Sequence, residues 1–174
     1  MRDPEQKQGL EDMVAWINKI KPSNQMDMIE IGSYVGESTI IFANQFRYVV
    51  SVDPFINDYD PTDEACKFAS FDLVYKEFIK NTFPYFNIKS IRETSRNAFD
   101  ILRNWQWDLV YIDGSHTLDD VWFDIKNYKD IIKKGGFIAG HDYGWGNVRH
   151  NIGMLLDDEV HAVFQDGSWI KQII

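Results

Sequence analysis

Two short stretches of the 174-residue chain hold groups able to bind, orient or move protons. Asp113-Gly114-Ser115-His116 follows the apolar run from Trp107 to Ile112, and His141-Asp142-Tyr143 follows Phe137-Ile138-Ala139-Gly140. Runs that apolar read as strands covered on both faces of a sheet, hence central and parallel. Their carboxyl ends then open on one side of the sheet, where open α/β folds hold their ligands. Polar groups gathered at such a place are more often functional than incidental. The ordinary imidazole pKa of ~6.5 would suit His116 to proton transfer near neutrality. The alternative is a helix-start histidine hydrogen-bonded to backbone.

A third stretch, Met28-Ile29-Glu30-Ile31-Gly32-Ser33-Tyr34-Val35-Gly36-Glu37-Ser38-Thr39, has a different chemistry. A short apolar run is followed by two glycines, and the pattern then turns helical with Ile40, Ile41, Phe42, Ala43 and Phe46. Gly32 is expected to let the chain turn tightly and a ligand approach bare backbone, and Gly36 to let helix and strand pack closely. Ser38 and Thr39 place hydroxyls and free N–H groups at a helix start, where a carboxylate is favoured. The spacing E-x-G-x-x-x-G is neither of the dinucleotide or P-loop fingerprints. A turn with two structural glycines is the competing account. The strand Tyr48 to Val52 closes on Asp53, roughly twenty residues after Gly32, a place from which a carboxylate accepts hydrogen bonds from ribose hydroxyls. Asp53 could instead cap the turn that Pro54 begins.

Hydrophobic periodicity supplies the scaffold for these groups. Residues 4–20 read as a helix with Leu10, Met13, Val14 and Ile17 on one face, ended at Lys21-Pro22-Ser23. Residues 56–63 read as an irregular loop of solvated charges near the ligand face. Residues 72–80 read as a helix and 87–91 as a third strand, followed by Glu93-Thr94-Ser95. Ala98, Ile101, Leu102 and Trp105 mark the next helix. Thr117 and Asp120 fit a capping box, with Leu118, Val121, Trp122, Ile125, Tyr128 and Ile132 at helical spacing and Gly135-Gly136 as the stop. A last helix covers 148–156, and Asp166-Gly167 between two apolar runs signals an antiparallel hairpin. His150 and His161 read as structural.

Length and composition describe a single domain over residues 1–174, 44% hydrophobic and 26% charged. The net charge of −9 argues against a nucleic-acid partner. No apolar run approaches the ~20 residues of a membrane span, and the first residues lack the apolar core of an export signal. A single cysteine, Cys66, excludes an intrachain disulfide and, without an export signal, points to the cytoplasm. Assembly is left open, a homo-oligomer included.

The run D-L-V-Y-I-D-G-S-H-T, the later K-K-G-G-F-I-A-G-H-D-Y, and E-I-G-S-Y-V-G-E-S-T with V-V-S-V-D together resemble the class I S-adenosylmethionine-dependent methyltransferases of the methyltransferase-24 type, relatives of the metal-dependent O-methyltransferases. The resemblance implies an α/β, Rossmann-like fold. Its seven-stranded, mostly parallel sheet has order 3-2-1-4-5-7-6, helices on both faces and a C-terminal antiparallel hairpin. It implies S-adenosylmethionine-dependent methyl transfer to a small molecule, at a hydroxyl oxygen. The second reading is a non-catalytic cofactor-binding or regulatory module of the same fold. A nucleotide-dependent oxidoreductase comes third, against which the missing G-x-G-x-x-G and the terminal hairpin count.

The resemblance also implies roles. Gly32, Ser33 and Gly36 would carry the methionine part of the cofactor, Glu30 and Ser38 would orient its amino and carboxylate ends, and Asp53 would take the ribose. Ser95, with Thr94, would lie beside the adenine. The family usually has an acid directly before that serine, whereas here Thr94 stands there with Glu93 one place earlier, so the group that meets the adenine amine stays open. Asp113 is assigned both to the cofactor and, with His116 as general base, to catalysis. Asp113, His141 and Asp142 match in separation the metal positions of the metal-dependent relatives. A divalent ion there would lower the pKa of a bound hydroxyl, and a histidine in the set suits Mn²⁺ or Fe²⁺ better than Mg²⁺. The alternative is that His141 and Asp142 only shape the pocket by hydrogen bonds.

Overall fold

The computed structural model describes residues 4–62, 70–157 and 159–174. Asp63 and Cys66 lie outside the described residues. Seven strands form one sheet: β1 (Asp27–Ile31), β2 (Tyr48–Val52), β3 (Ile88–Ile91), β4 (Trp107–Ile112), β5 (Ile132–Gly140), β6 (Ala162–Val163) and β7 (Trp169–Gln172). Their order is β3-β2-β1-β4-β5-β7-β6, as the resemblance implied. Pairing is parallel from β3 to β5, and β7 runs antiparallel to β5 and β6.

Alternation along the strands divides the core in two. Met28, Val49, Leu109, Tyr111, Phe137 and Ala139 face α1 (Pro4–Asn18) and α2 (Glu37–Ala43). Ile29, Ile31, Val50, Val52, Val110, Ile112 and Ile138 pack with α4 (Ser95–Leu102), α5 (Leu118–Tyr128) and α6 (Gly146–Leu155). All six residues of β4 are buried, as a strand covered on both sides must be. A smaller cluster joins Phe55 to Phe71, Val74 and Phe78 of α3 (Phe71–Thr82), with Phe55 5.3 Å from Phe78 between ring centres. It anchors the segment that follows β2.

The register makes the central strands end level. Ile31 pairs with both Val52 and Ile112, and Ile112 pairs with Gly140. The next residue on each strand is therefore Gly32, Asp53, Asp113 or His141, in one row along the carboxyl edge. The ladder continues through this row, with Gly32 N–H donating to Val52 at 2.9 Å, Asp113 N–H to Ile31 at 2.8 Å and His141 N–H to Ile112 at 3.0 Å. Strand order reverses between β1 and β4, the switch point where such sheets leave a crevice.

Some element boundaries differ from expectation. Gly135-Gly136 does not stop α5; the helix ends at Tyr128, a 3₁₀ turn over Lys129–Ile131 follows, and Ile132 already belongs to β5. The glycine pair serves an irregularity in the β4–β5 ladder, where Trp107↔Ile132 gives way to Leu109↔Phe137. A side chain at Gly136 would lie 2.7 Å from the Asp108 carbonyl oxygen, so the bulge closes only on bare backbone. Ile101, Trp105, Leu118 and Trp122, expected on buried helix faces, remain exposed.

The opposite edge of the sheet is tied by one acid. Buried Asp108 takes Lys133 Nζ at 2.8 Å, Asp27 N–H at 3.0 Å and Lys21 Nζ, joining β1, β4, β5 and the chain after α1. Burial would raise its pKa, but these donors hold it below the ordinary carboxylate value. Asp108→Ala is expected to lose about 2–4 kcal/mol in urea unfolding, because the carboxylate is buried while the lysine heads are partly solvated. The folded pKa lies below the unfolded one. The contribution is therefore present above the unfolded carboxyl pKa of ~3.9 and is lost as pH falls through the folded value. An Asp108→Asn variant should lack that acid limb in stability-versus-pH measurements.

Candidate active site

A cavity of about 460 Å³ opens over the level strand ends. Its lining comes from the β1–α2 loop, the segment after β2, Ser95, the loop after β4, Asp124 of α5, and His141, Asp142 and Trp145 after β5. Gln6 of α1 reaches it from outside the sheet.

The glycine loop is shaped by the protein itself before any ligand arrives. Gly32 sits at φ +85°, and a Cβ there would fall 1.9 Å from the Asp113 carbonyl oxygen. The glycine thus makes room for the main chain after β4, and it also lines the cavity. Gly36 also has a left-handed backbone, at φ +86°. Its missing side chain faces Phe78 and Thr82 of α3 at 3.1 Å, so it accommodates a neighbouring helix and not the α2–strand contact expected.

Asp53 locks the loop. Its Oδ2 accepts the N–H groups of Ser33 at 3.0 Å and Tyr34 at 2.9 Å, and its Oδ1 accepts Phe55 N–H at 2.8 Å. Burial drives its pKa up, against the pull of these three donors. A carboxylate has about four lone-pair sites, so one remains on Oδ1. Asp53 therefore caps its turn and can still receive a hydroxyl from the cavity it lines.

Among the remaining predicted cofactor residues, Ser33, Ser38, Ser95 and Asp113 line the cavity. Glu30 and Thr94 do not. Glu30 is fully buried and accepts the Thr39 hydroxyl at 2.5 Å, which holds β1 to α2 and positions the loop from beneath. Thr94 caps α4, its hydroxyl accepting Asn97 N–H at 3.2 Å. Glu93 is turned outward onto the Asn97 amide at 3.0 Å. Neither residue 93 nor 94 supplies a group to the cavity.

His116 lies between two carboxylates. Nδ1 is 3.1 Å from Asp60 and Nε2 is 2.9 Å from Asp142, while the ring stacks on Trp145 at 4.6 Å between centres. Burial would lower its pKa, but the hydrogen bonds and charges of Asp142 and Asp60 raise it to about 9. The two acids favour the protonated ring, with both nitrogens donating, and a general base at this place would act from the deprotonated form. Asp142, at φ 57°, is held well below the carboxylate range by His116 and His141 despite its burial. His141 Nδ1 lies 3.1 Å from Asp142 and 3.7 Å from Asp113, and Nε2 lies 4.0 Å from Asp166.

Three acids of this region are not among the candidate site residues of the sequence reading. Asp60, expected to be a solvated loop charge, is 2% exposed and also accepts His116 N–H at 2.6 Å. Asp166, read only as a hairpin turn, turns a buried carboxylate toward His141. Asp124 stands three residues after Val121 and four before Tyr128, within the apolar stripe of α5. An acid inside a buried stripe was the signal that could have found it.

The sequence profile of the methyltransferase-24 family, described as a methyltransferase domain, matches residues 29–143, which span the glycine loop, Asp53, Asp113 and His141-Asp142. The chain belongs to the class I S-adenosylmethionine-dependent methyltransferases. No match was found among curated proteins. In fold this methyltransferase is similar to the calicheamicin methyltransferase CalS11, at 14% identity and TM-score 0.68, over 98% of this chain and 80% of that one. It is similar to the N-methyltransferase NodS of Bradyrhizobium japonicum, at 12% identity and TM-score 0.64, over 99% of both chains. An rRNA methylase from Streptococcus thermophilus is matched at 9% identity and TM-score 0.64, over 95% of this chain and 97% of that one. The shared fold accompanies acceptors of very different kinds.

Two expectations follow for the methyltransferase. Asp53→Ala should weaken S-adenosylhomocysteine binding by ~1.5–3 kcal/mol in calorimetry, through the loss of a hydroxyl bond to a charged acceptor and of the loop's lock. In NMR titration of the metal-free protein, His116 should stay protonated through neutrality and lose its proton at about pH 9. Its folded pKa is raised above the ordinary ~6.5, so its contribution to stability is complete below that value and is lost as pH rises through about 9.

Proposed function

We propose that this methyltransferase acts on a small molecule and delivers the methyl group to a hydroxyl oxygen held at the Asp113–His141–Asp142 end of the cavity. The observation that carries the reading is the row of level strand ends, which sets this cluster beside the glycine loop and Asp53 within one cavity. The acceptor and the cofactor's methyl would meet across the ends of β1 and β4, and the protein's main contribution would be orientation for in-line attack. A small acceptor is favoured over a nucleic acid by charge. The chain carries −9, and among the described residues the cavity lining contains Glu37, Asp53, Asp60, Asp113, Asp124 and Asp142 with no lysine or arginine.

The cluster also fits a divalent ion. Asp113, His141 and Asp142 each offer a ligand atom, and these atoms lie within 4.8 Å of one another. Two carboxylates with one imidazole suit Mn²⁺ or Fe²⁺ better than Mg²⁺. Such an ion, when bound, lowers the pKa of a hydroxyl beside it. The chain's own groups set the surroundings. His116 fixes Asp142, Asp60 backs His116, and Trp145 covers the imidazolium ring.

The test combines calorimetry with turnover. Mn²⁺ should bind the wild type, Asp142→Asn should weaken that binding by about tenfold or more, and chelation should suppress methylation of small hydroxylated acceptors. Turnover indifferent to chelator would remove the metal from the scheme. Methylation of amines or RNA, with hydroxylated small molecules left untouched, would overturn the oxygen-directed reading.

A further inference from the structure

Asp124 is a carboxylate that neither the fold nor the chemistry at His116 explains. It is 1% exposed, in the middle of α5, yet it lines the cavity. Ser95 lines the same cavity, and its side chain favours the charged form of the Asp124 carboxyl. Its Oδ1 has no hydrogen-bond partner among the described residues. A buried oxygen left unmatched in this way is costly to the unliganded protein, and a cavity-facing one is matched by what the cavity binds.

Its position says which part of a ligand it meets. Ser95 follows β3, the strand beyond β2 on the side away from β4. The Ser95–Asp124 pair therefore lies past Asp53 along the cavity, on the far side from Asp113 and His141. Tyr59 also lines this cavity, near enough to Asp120, Asp124 and Asp53 for their charges to raise its pKa. If the cofactor's methionine lies on the glycine loop and its ribose at Asp53, the purine reaches this pocket. The residues next in sequence to Ser95 supply no competitor, since Thr94 caps α4 and Glu93 faces outward.

We infer that Asp124 Oδ1 accepts a hydrogen bond from the exocyclic amine of the cofactor's adenine, so that an acid on α5 reads the base. Burial pushes the pKa of this carboxyl up to about 7, and a donor bound at Oδ1 would favour its charged form. The inference rests on the cofactor lying along this row, and the experiment separates the two.

S-adenosylhomocysteine and its deaminated analogue S-inosylhomocysteine are titrated into the wild type, Asp124→Asn and Asp124→Ala, with thermal melting recorded for each unliganded protein. The titrations are run at about pH 8.5, above the carboxyl's pKa of about 7, where Asp124 only accepts; the analogue presents a carbonyl oxygen where adenine presents an amine, so it sets two acceptors against each other. The wild type should favour the adenosyl ligand by about tenfold or more. The ratio should collapse in Asp124→Ala, and collapse or invert in Asp124→Asn, whose amide can donate to the carbonyl. Asp124→Ala should melt no lower than the wild type, because an unmatched buried acceptor is removed. A wild type that binds both ligands equally, or a preference that survives in the variants, overturns the assignment of Asp124 alone. A wild type that binds neither overturns the cofactor placement and the inference with it.

Discussion

No side chain fits between the ends of β1 and β4. At Gly32 a Cβ would lie 1.9 Å from the Asp113 carbonyl oxygen, and the backbone there is left-handed. Two parallel strands can run in register and still leave their following loops apart; here the loops touch. That contact sets the distance between the β1–α2 loop and the cluster after β4 and β5. Asp53 completes the arrangement from the other side by gathering Ser33, Tyr34 and Phe55 N–H onto one carboxylate. The cavity is thus preorganised by main-chain contacts, and its shape does not depend on long surface side chains.

Several buried acids look alike in the sequence yet occupy quite different situations. Asp108 and Asp113 lie at opposite ends of the same strand. Asp108 is matched by two lysines and a backbone N–H and holds the sheet together. Asp113 opens on the cavity beside His141. Glu30 accepts the Thr39 hydroxyl and lies away from the cavity, whereas Asp124 lines it with one oxygen unmatched among the described residues. These acids differ in the donors the fold supplies and in whether they face the cavity.

The elements and their order were legible because periodicity and apolar runs report burial directly. Residues 107–112 and 137–140 read as central strands for that reason, and the strand ends bearing Asp113 and His141 followed from them. The loop acids were not legible. Asp60 reads as a solvated charge until the fold brings it 56 residues onward to His116, and Asp166 reads as a turn residue until the hairpin returns beside β5. The Gly135-Gly136 pair misled because a helix stop and a strand bulge make the same demand for bare backbone. Thr94 and Ser95 are adjacent in sequence, but one faces its own helix start and the other the cavity, a difference of direction that composition does not encode.

The acidic lining bears on the reaction itself. S-adenosylmethionine carries a sulfonium cation and yields a neutral thioether, so a field of carboxylates favours reactant over product and speeds exchange of one for the other. The same field has an adverse side. Methyl transfer disperses the positive charge, and a site that stabilised only the sulfonium would deepen the ground state rather than lower the barrier. The charges here are distributed unevenly. Asp60 and Asp142 are matched by the His116 imidazolium, which stands at the cluster proposed for the acceptor, while Glu37 and Asp53 border the loop proposed for the cofactor. Attraction for the cation is thereby concentrated along the binding row. At the proposed acceptor end that attraction is offset, because Asp60 and Asp142 are each paired with His116.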